Sequence, residues 1–506
     1  MGLRGSQAGA QEFVRREGQA LISGTDRFLF TGANAYYLPF AAAYGESGAV
    51  EEVLDAAREL GMTVLRTWAF HDSPDSSDPG VFQYRPGVFN EAGLCALDQI
   101  VDAARTRGIR LLLPLVNNWD DFGGMNQYVR WRQDSGGREV GRNGRYGEAD
   151  TGSVVTGRDG EHYRIAMSPV AGHDDFYTDP VIRGWFRQYV AMLLQRVNTV
   201  TGVAYRDEPA ILAWELANEP RSSDPTGEVV AGWLEGMAAF VKSIDPNHLV
   251  GSGEEGGDVD PSSFPVAARE VPVWLLDGTT GVSFRRNTAL ANLDFASLHL
   301  YAETWSMPAA AGDSWIRDHQ HLAGAIGKPL VLGEIGAREE HSGALESWMT
   351  TALLGDAAGA LVWQLLDQRR QDPEGYGIHC GDDPRCTVLH HMSSLFAENA
   401  ARGSLTPPSA LRLLPCYPDP ASGQVILVYE LPWDARVTLE VYDLQGAPVR
   451  RVVDDRQRAG VRKELFSGNR VTSGVYLYRV RAMALDGTEH RQASGKFTIL
   501  HQAGAG

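Results

Sequence analysis

The chain has 506 residues, more than one hydrophobic core usually organises, so a large domain with a smaller companion is the simplest division. Its 46 Lys and Arg stand against 64 Asp and Glu, a formal charge of −18, and neither terminus carries a basic run, which excludes nucleic acid as a partner and a basic membrane-binding arm. No stretch approaches the roughly 20 apolar residues of a membrane span, and four cysteines without a C-x-x-C pair exclude a disulfide scaffold and the common zinc and redox motifs.

Residues 1–11, MGLRGSQAGAQ, lack the apolar segment of a signal peptide and read as a flexible lead-in. RFLFTGANAYYLPF, from Arg27, is a β-rich run entering a loop. Residues 50–60, VEEVLDAAREL, show helical spacing and stop at Gly61, and MTVLRTWAF is the next strand. The alternation continues with a helix over 93–107, in which Cys95 reads as a buried free thiol, then the apolar strand 110–116. Residues 135–172, rich in Gly, Arg and Asp, break the rhythm; they either shape a substrate groove or form a surface excursion. A long helix over 179–199 precedes ILAWELANEP, a helix over 228–243 precedes HLVGSG, and DFASLHL is the strand at 294–300. Helix 314–326, strand 329–335, helix 342–354 and strand 359–366 complete the series. Cys380 and Cys386, in HCGDDPRC, could close a short loop in an oxidising compartment, whereas Cys416 carries no signal.

Eight apolar strands separated mostly by helices are the mark of parallel βαβ units, and eight such units close into a (β/α)8 TIM barrel. An open doubly wound sheet would use fewer strands and often a Gly-rich phosphate turn, and neither G-x-G-x-x-G nor G-x-x-x-x-G-K-[ST] occurs. After residue 401 the texture changes. TPPSALRLLPCYPDP is a Pro-rich linker, and six short alternating runs follow, from QVILVYELP to SGKFTIL, as in an immunoglobulin-like β-sandwich. The expected division is a lead-in at 1–11, a barrel at 12–402, a linker at 403–422 and a small all-β domain at 423–506.

Side chains at the C-terminal ends of barrel strands converge on one site. Strand two ends in Arg66, Thr67 and Trp68, strand three in Asn117, Asn118 and Trp119, and strand four in Asn218 and Glu219. Strand five leads to Glu254 and Glu255, strand six carries His299 and Tyr301, strand seven ends in Glu334, and strand eight bears Trp363 and Gln364. Two glutamates on opposite sides of the ring suit cleavage of a glycosidic bond, in which one carboxyl protonates the leaving oxygen and the other attacks the anomeric carbon. Arg66 is the cation available to keep the attacking carboxylate ionised. Trp68 and Trp363 offer faces for pyranose stacking, Asn218 can hold a sugar hydroxyl, and one of Glu254 and Glu255 is a candidate wall residue. Singly, each has a plainer reading as a cap, an ion pair or core filling.

The segments LRTWAFHD, LPLVNNWDDFGGMNQYV, YTDPVIRGWF, RVNTVTGVAYRDEPAILAWELANEPR, LHLYAETW and KPLVLGEIG together resemble glycoside hydrolase family five, and particularly its plant-type endo-β-1,4-mannanases. The resemblance covers about residues 11–400. It implies a (β/α)8 barrel, a retaining mechanism, Glu219 as acid/base and Glu334 as nucleophile, with Tyr301 hydrogen-bonded to the nucleophile. It further implies that Arg66, Asn218, His299 and Trp363 surround them, that Asn118 and Trp119 contact the glycone side, and that Arg221 contacts the aglycone side. Trp119 stands where related enzymes often have tyrosine. No metal or organic cofactor is implied. The implied substrate is mannan, glucomannan or galactomannan, with a β-1,4-glucanase, a mannan transglycosylase or a non-catalytic glycan binder as the alternatives.

CYPDPASGQVILVYELP, VTLEVYDLQGAPVR and SGVYLYRV are similar to flagellar-hook-capping-like immunoglobulin modules and to the C-terminal sorting domains of secreted bacterial enzymes. That similarity implies export, or attachment at the cell surface, through the secretion machinery. A carbohydrate-binding module is the competing reading, but Trp433 is the only tryptophan in this region.

Overall fold

Eight short runs of buried residues pair in parallel in the computed structural model: β1 Phe30–Asn34, β2 Val64–Arg66, β3 Arg110–Pro114, β4 Ile211–Glu215, β5 Leu249–Gly251, β6 Ala296–Leu300, β7 Leu330–Gly336 and β8 Gly359–Trp363. They neighbour one another in the order β5, β4, β3, β2, β1, β8, β7, β6, which is chain order followed around a ring. The ring closes between β5 and β6, where Asp294 donates its backbone N–H to Val250 at 2.7 Å and His299 donates to Glu255 at 3.2 Å. This is the expected TIM barrel. Its strands read as continuous apolar runs because both faces are buried.

The structure describes residues 11–135, 153–156, 162–165, 172–381, 383–402, 410–413, 417–419, 424–457, 460–468, 471–485, 487 and 489–499. Nearly all of the lead-in, most of 135–172, most of the linker and Cys416 lie outside them. Within 135–172, Ser153–Thr156 and His162–Ile165 pair as antiparallel strands.

Eight of the described helices run twelve residues or more and flank the barrel strands: α1 Ser47–Glu59, α2 Glu91–Thr106, α3 Gly124–Ser135, α4 Pro180–Gln195, α5 Glu228–Ile244, α6 Ala309–Ile326, α7 Ser342–Leu354 and α8 Pro384–Arg402. Helix α4 shows how local chemistry sets their limits. Asp179 caps its first turn by accepting from Val181 N at 2.7 Å and Ile182 N at 3.3 Å, and Pro180 occupies the first helical position, where no N–H is needed. Ile182, Phe186, Tyr189, Val190, Leu193 and Leu194 form its buried stripe. The helix stops at Gln195 and not at the expected residue 199. Asn198 accepts from Val200 N and Thr201 N to make a turn, while Arg196 reaches back to Asp98 and Glu91 on α2. RVNTVTG is therefore a staple at the entrance of β4, at the opposite end of that strand from Glu219.

Phe30, Val64, Leu112, Phe295, Val331 and Leu361 fill the barrel interior, joined by Val14 and Leu21 of an N-terminal hairpin. A larger cluster lies between strands and helices. Each such side chain contributes about 1.5–3 kcal/mol on burial. Cys380 and Cys386 form a disulfide. Cys95 is free but half-exposed, not buried, because it lies on the rim of α2 beside Glu91 and Thr199.

The chain divides into two compact units, Met1–Ala400 and Ala401–Gly506. In the second, β9 Gln424–Leu431 pairs with β12 Gly460–Ser467, and a second sheet has the order β11 Pro448–Gln457, β10 Ala435–Tyr442, β13 Gly474–Ala484, β14 His490–Ile499. Val437, Leu439 and Val441 alternate inward against Tyr478 and Val480, as in a sandwich core. Trp433 packs partly buried against that core.

Candidate active site

Arg66, the last residue of β2, is 2% exposed and organises the C-terminal mouth of the barrel. Its Nε donates to Glu215 Oε2 at 2.6 Å, Nη1 to Glu334 Oε1 at 2.6 Å and to Asn34 Oδ1 at 3.1 Å, and Nη2 to Asn218 Oδ1 at 2.8 Å. The second oxygen of Glu334 accepts the hydroxyl of Tyr301. Glu334 is thus held at both oxygens, one of them by a charge.

Glu219 lies four residues beyond Glu215, on a backbone with φ of 49°, an uncommon value for a side chain of this size. Its N–H donates to Gly253 O at 2.8 Å. Gly253 has φ of 73°, and a Cβ there would meet Ala217 O at 1.9 Å, so only glycine allows this approach. Glu219 Oε1 lies 2.8 Å from His299 Nδ1, and Oε2 accepts from Trp119 Nε1 at 2.7 Å. One oxygen each of Glu219 and Glu334 and a ring nitrogen of His299 all fall within 4.8 Å of one another. The trio is of metal-ligand type. Its direct Glu219–His299 hydrogen bond and the guanidinium on Glu334 suit proton transfer better than a cation.

Burial pushes both carboxyls up, since Glu219 is 9% and Glu334 3% exposed. For Glu334 Arg66 and the Tyr301 hydrogen bond oppose that rise, as His299 would only when protonated, while Glu219 is opposed first by the indole N–H of Trp119 and then by the more distant charges of Arg221 and Arg66. Two carboxylates this close do not both ionise readily. The charge belongs on Glu334, where a guanidinium and a phenol donate, and the proton on Glu219. Burial lowers His299, leaving the ring neutral near pH 7, and raises Tyr301 well above the ordinary phenol range, so it stays a donor.

The structure brings Arg66, Asn218, Glu219, His299, Tyr301, Glu334 and Trp363 together at one mouth. Trp363 stacks on Tyr36 with ring centroids 5.5 Å apart and planes 7° from parallel, a pairing the sequence reading missed. Three expected sugar contacts differ. Trp68 is 4% exposed and wedged against Tyr36, Phe70 and Arg66, which leaves no face for a pyranose. Asn118 is fully buried; its Oδ1 accepts from Arg221 N at 3.1 Å and meets His173 Nε2 at 3.1 Å, so it braces two loops. Arg221 is locked onto Glu255 by two 2.7 Å hydrogen bonds and lies between the rings of Trp119 and Trp274. It stiffens the wall behind Trp119. Glu255 is thereby placed at the site, whereas Glu254 turns to Ser252 and Asn287. Glu215 was overlooked because it interrupts an apolar strand, where a lone charge reads as a blemish. Its pattern three residues before Asn-Glu was the available signal.

A family model described as GH family 5 beta-mannosidase-like matches residues 11–354, and one described as a secretion system C-terminal sorting domain matches 415–490. Mannan endo-1,4-beta-mannosidase 8 of Oryza sativa subsp. japonica is 34% identical over 76% of this chain and 99% of its own. Mannan endo-1,4-beta-mannosidase F of Aspergillus fumigatus is 32% identical over 76% of this chain and 79% of its own. Among solved structures, an endo-1,4-beta-D-mannanase from Thermotoga petrophila aligns with a TM-score of 0.61 at 33% identity, covering 73% of this chain and all of the other. An endo-1,4-beta-mannanase from Rhizomucor miehei aligns at 0.62 and 29%, covering 76% and all. With the buried carboxylate pair seated at the mouth of its barrel, the chain belongs to the β-mannosidase-like members of glycoside hydrolase family 5 and carries a C-terminal secretion sorting domain.

Proposed function

We propose that this chain hydrolyses β-1,4-mannosidic bonds inside mannan, glucomannan or galactomannan chains with retention of configuration, Glu334 acting as nucleophile and Glu219 as acid/base. The observation that carries the reading is the asymmetry of two close carboxyls, one held by a guanidinium and a phenol, the other by a neutral imidazole and an indole. Carboxyl groups about 5–5.5 Å apart suit double displacement, and here one oxygen of Glu219 lies within 4.8 Å of one oxygen of Glu334.

In the first step Glu334 bonds to the anomeric carbon as the glycosidic C–O bond breaks, and the leaving oxygen takes the proton of Glu219. In the second, Glu219 removes a proton from water as the water oxygen replaces Glu334 at the same carbon. Two inversions return the β configuration and restore both carboxyls. Trp363, backed by Tyr36, supplies the aromatic platform. The relatives named for mannan support the choice of glycan, and the sorting-domain match supports export or display at the cell surface through a secretion apparatus. No helix among the described residues is long and apolar enough to cross a membrane.

The test is a panel of mannan, glucomannan, galactomannan, cellulose and xylan, read by reducing ends, product size and anomeric NMR. Internal cleavage of the mannans with β products is expected, and Glu334→Ala should abolish turnover with the fold intact. Preference for cellulose, net chain lengthening, α products or a near-normal Glu334→Ala enzyme would overturn the reading.

A further inference from the structure

Glu215 is a fully buried carboxylate to which the reaction above gives no part. Its Oε2 is held by Arg66, but Oε1 has no hydrogen-bond partner among the described residues. On the other side of the site, His299 is fully buried, its Nδ1 faces Glu219, and its Nε2 is likewise without a partner among the described residues. The two atoms turn toward the same place. A methyl group added to Gly333 of β7 would lie 2.9 Å from His299 Nε2 and 3.7 Å from Glu215 Oε1, so both atoms border the position that glycine leaves without a side chain. Buried polar atoms are nearly always paired, and these two are complementary: an ionised carboxylate oxygen can only accept, whereas an imidazole nitrogen can donate.

We infer that Glu215 is a positioning residue that fixes the tautomer of His299, and through it the protonation of Glu219; this deepens the proposed function and rests on it. Because the two atoms make no direct hydrogen bond, the link runs through one water that accepts from His299 Nε2–H and donates to Glu215 Oε1. With the single proton of a neutral ring committed to Nε2, Nδ1 presents a lone pair. The 2.8 Å contact with Glu219 Oε1 is then a hydrogen bond only when Glu219 carries the proton, the state in which a general acid begins its cycle. Once that proton has gone to the leaving oxygen, the same lone pair faces a carboxylate and strengthens it as a base toward water. Glu215 also holds the Nε of Arg66, whose Nη1 holds Glu334. One buried carboxylate thus reaches both reacting groups by separate routes.

The charged and titratable groups that act on His299 are Glu334 from β7, Arg66 from β2, Glu215 from β4, Glu219 from the loop after β4 and Glu255 from the loop after β5. Removing any one of these charges moves a pH profile, so the decisive readout is the tautomer itself. In full-length protein labelled with 15N on its histidine rings, the His299 signals are assigned by their loss in His299→Asn. The wild type should show Nε2 protonated and Nδ1 bare near neutral pH. A ring protonated on Nδ1, or on both nitrogens, overturns the inference without any variant of Glu215.

Glu215→Gln keeps the shape but removes the obligatory acceptor. It should release the ring to the Nδ1–H form, move the alkaline limb of kcat/KM to lower pH, and reduce kcat about 10- to 100-fold with KM within about twofold. Glu215→Asp, which keeps the charge, should recover the Nε2–H tautomer at least in part. A Glu215→Gln enzyme with wild-type tautomer and kcat overturns the inference, and if Glu334→Ala is then still inactive, the proposed function survives it. Near-normal Glu334→Ala turnover would instead remove the proposed function itself.

Discussion

Replacing Arg66 with lysine tests whether one guanidinium sets both the stability of the barrel mouth and the ionisation of Glu334. The native side chain makes four hydrogen bonds from three nitrogens, two to carboxylates at 2.6 Å and two to amide oxygens at 2.8 and 3.1 Å. A lysine ammonium carries its donors at one point and cannot span Glu215 and Glu334 together. Hydrogen bonds to charged groups contribute about 1.5–3 kcal/mol each, and leaving a buried charge unpaired costs about 3–5 kcal/mol. Because lysine keeps the charge and can serve one carboxylate, the expected loss of stability is about 2–4 kcal/mol. For activity the sign follows from the reaction: Glu334 must be ionised to attack, and a weaker cation contact raises its pKa further. The enzyme should therefore lose turnover first at low pH, with the acid limb of kcat/KM moving up by about one unit, equivalent to about 1.4 kcal/mol. Urea unfolding and a pH series on a soluble mannooligosaccharide measure the two effects. An Arg66→Lys protein with the wild-type acid limb would refute the assignment of the charge to Glu334, whatever its stability.

Trp119→Phe removes the N–H that favours ionised Glu219, so the alkaline limb should move to higher pH by about half a unit or more; an unmoved limb would show that the indole contact does not tune this carboxyl. Asp72 is wholly buried, which raises it to about 8 against the opposing hydrogen bonds of Gln83 and Tyr128, and its Oδ2 has no partner among the described residues. The folded chain holds that proton where the unfolded chain has released it, so this residue makes stability fall as pH rises from about 4 to about 8. Asp72→Asn should flatten that fall, as read from unfolding midpoints at pH 5 and pH 8, and an equal drop in both proteins would contradict the shift.

What could be read from the sequence follows from the range of the interaction concerned. Strand ends were legible because each apolar run announces its own limit, and this placed Arg66, Glu219, His299 and Glu334 at one mouth. Helix α4 was overrun because its periodicity continues past Gln195, and the stop comes from Asn198 and from Asp98 about a hundred residues earlier. Helix α3 was missed because its residues are polar in sequence but buried in the fold, Asn126 and Gln127 among them. Trp68 and Asn118 look like open site residues in sequence for a related reason, although both are buried. A strand-end position says that a side chain points toward the mouth, not whether a neighbour such as Tyr36 or His173 already covers it.

The roles of the carboxyls follow from how few cations the site holds. Glu215, Glu219, Glu255 and Glu334 all reach the barrel mouth with at most 9% exposure, against two guanidinium groups among the described residues in hydrogen-bond contact with any of them. Arg66 divides itself between Glu215 and Glu334, and Arg221 gives two hydrogen bonds to Glu255. Glu219 instead meets a neutral imidazole and an indole. A buried carboxyl without a cation in contact is the one that keeps its proton most readily. The arginines thus select Glu219 as the proton carrier by being spent elsewhere, and moving either of them should change which carboxyl titrates before it changes whether the barrel folds.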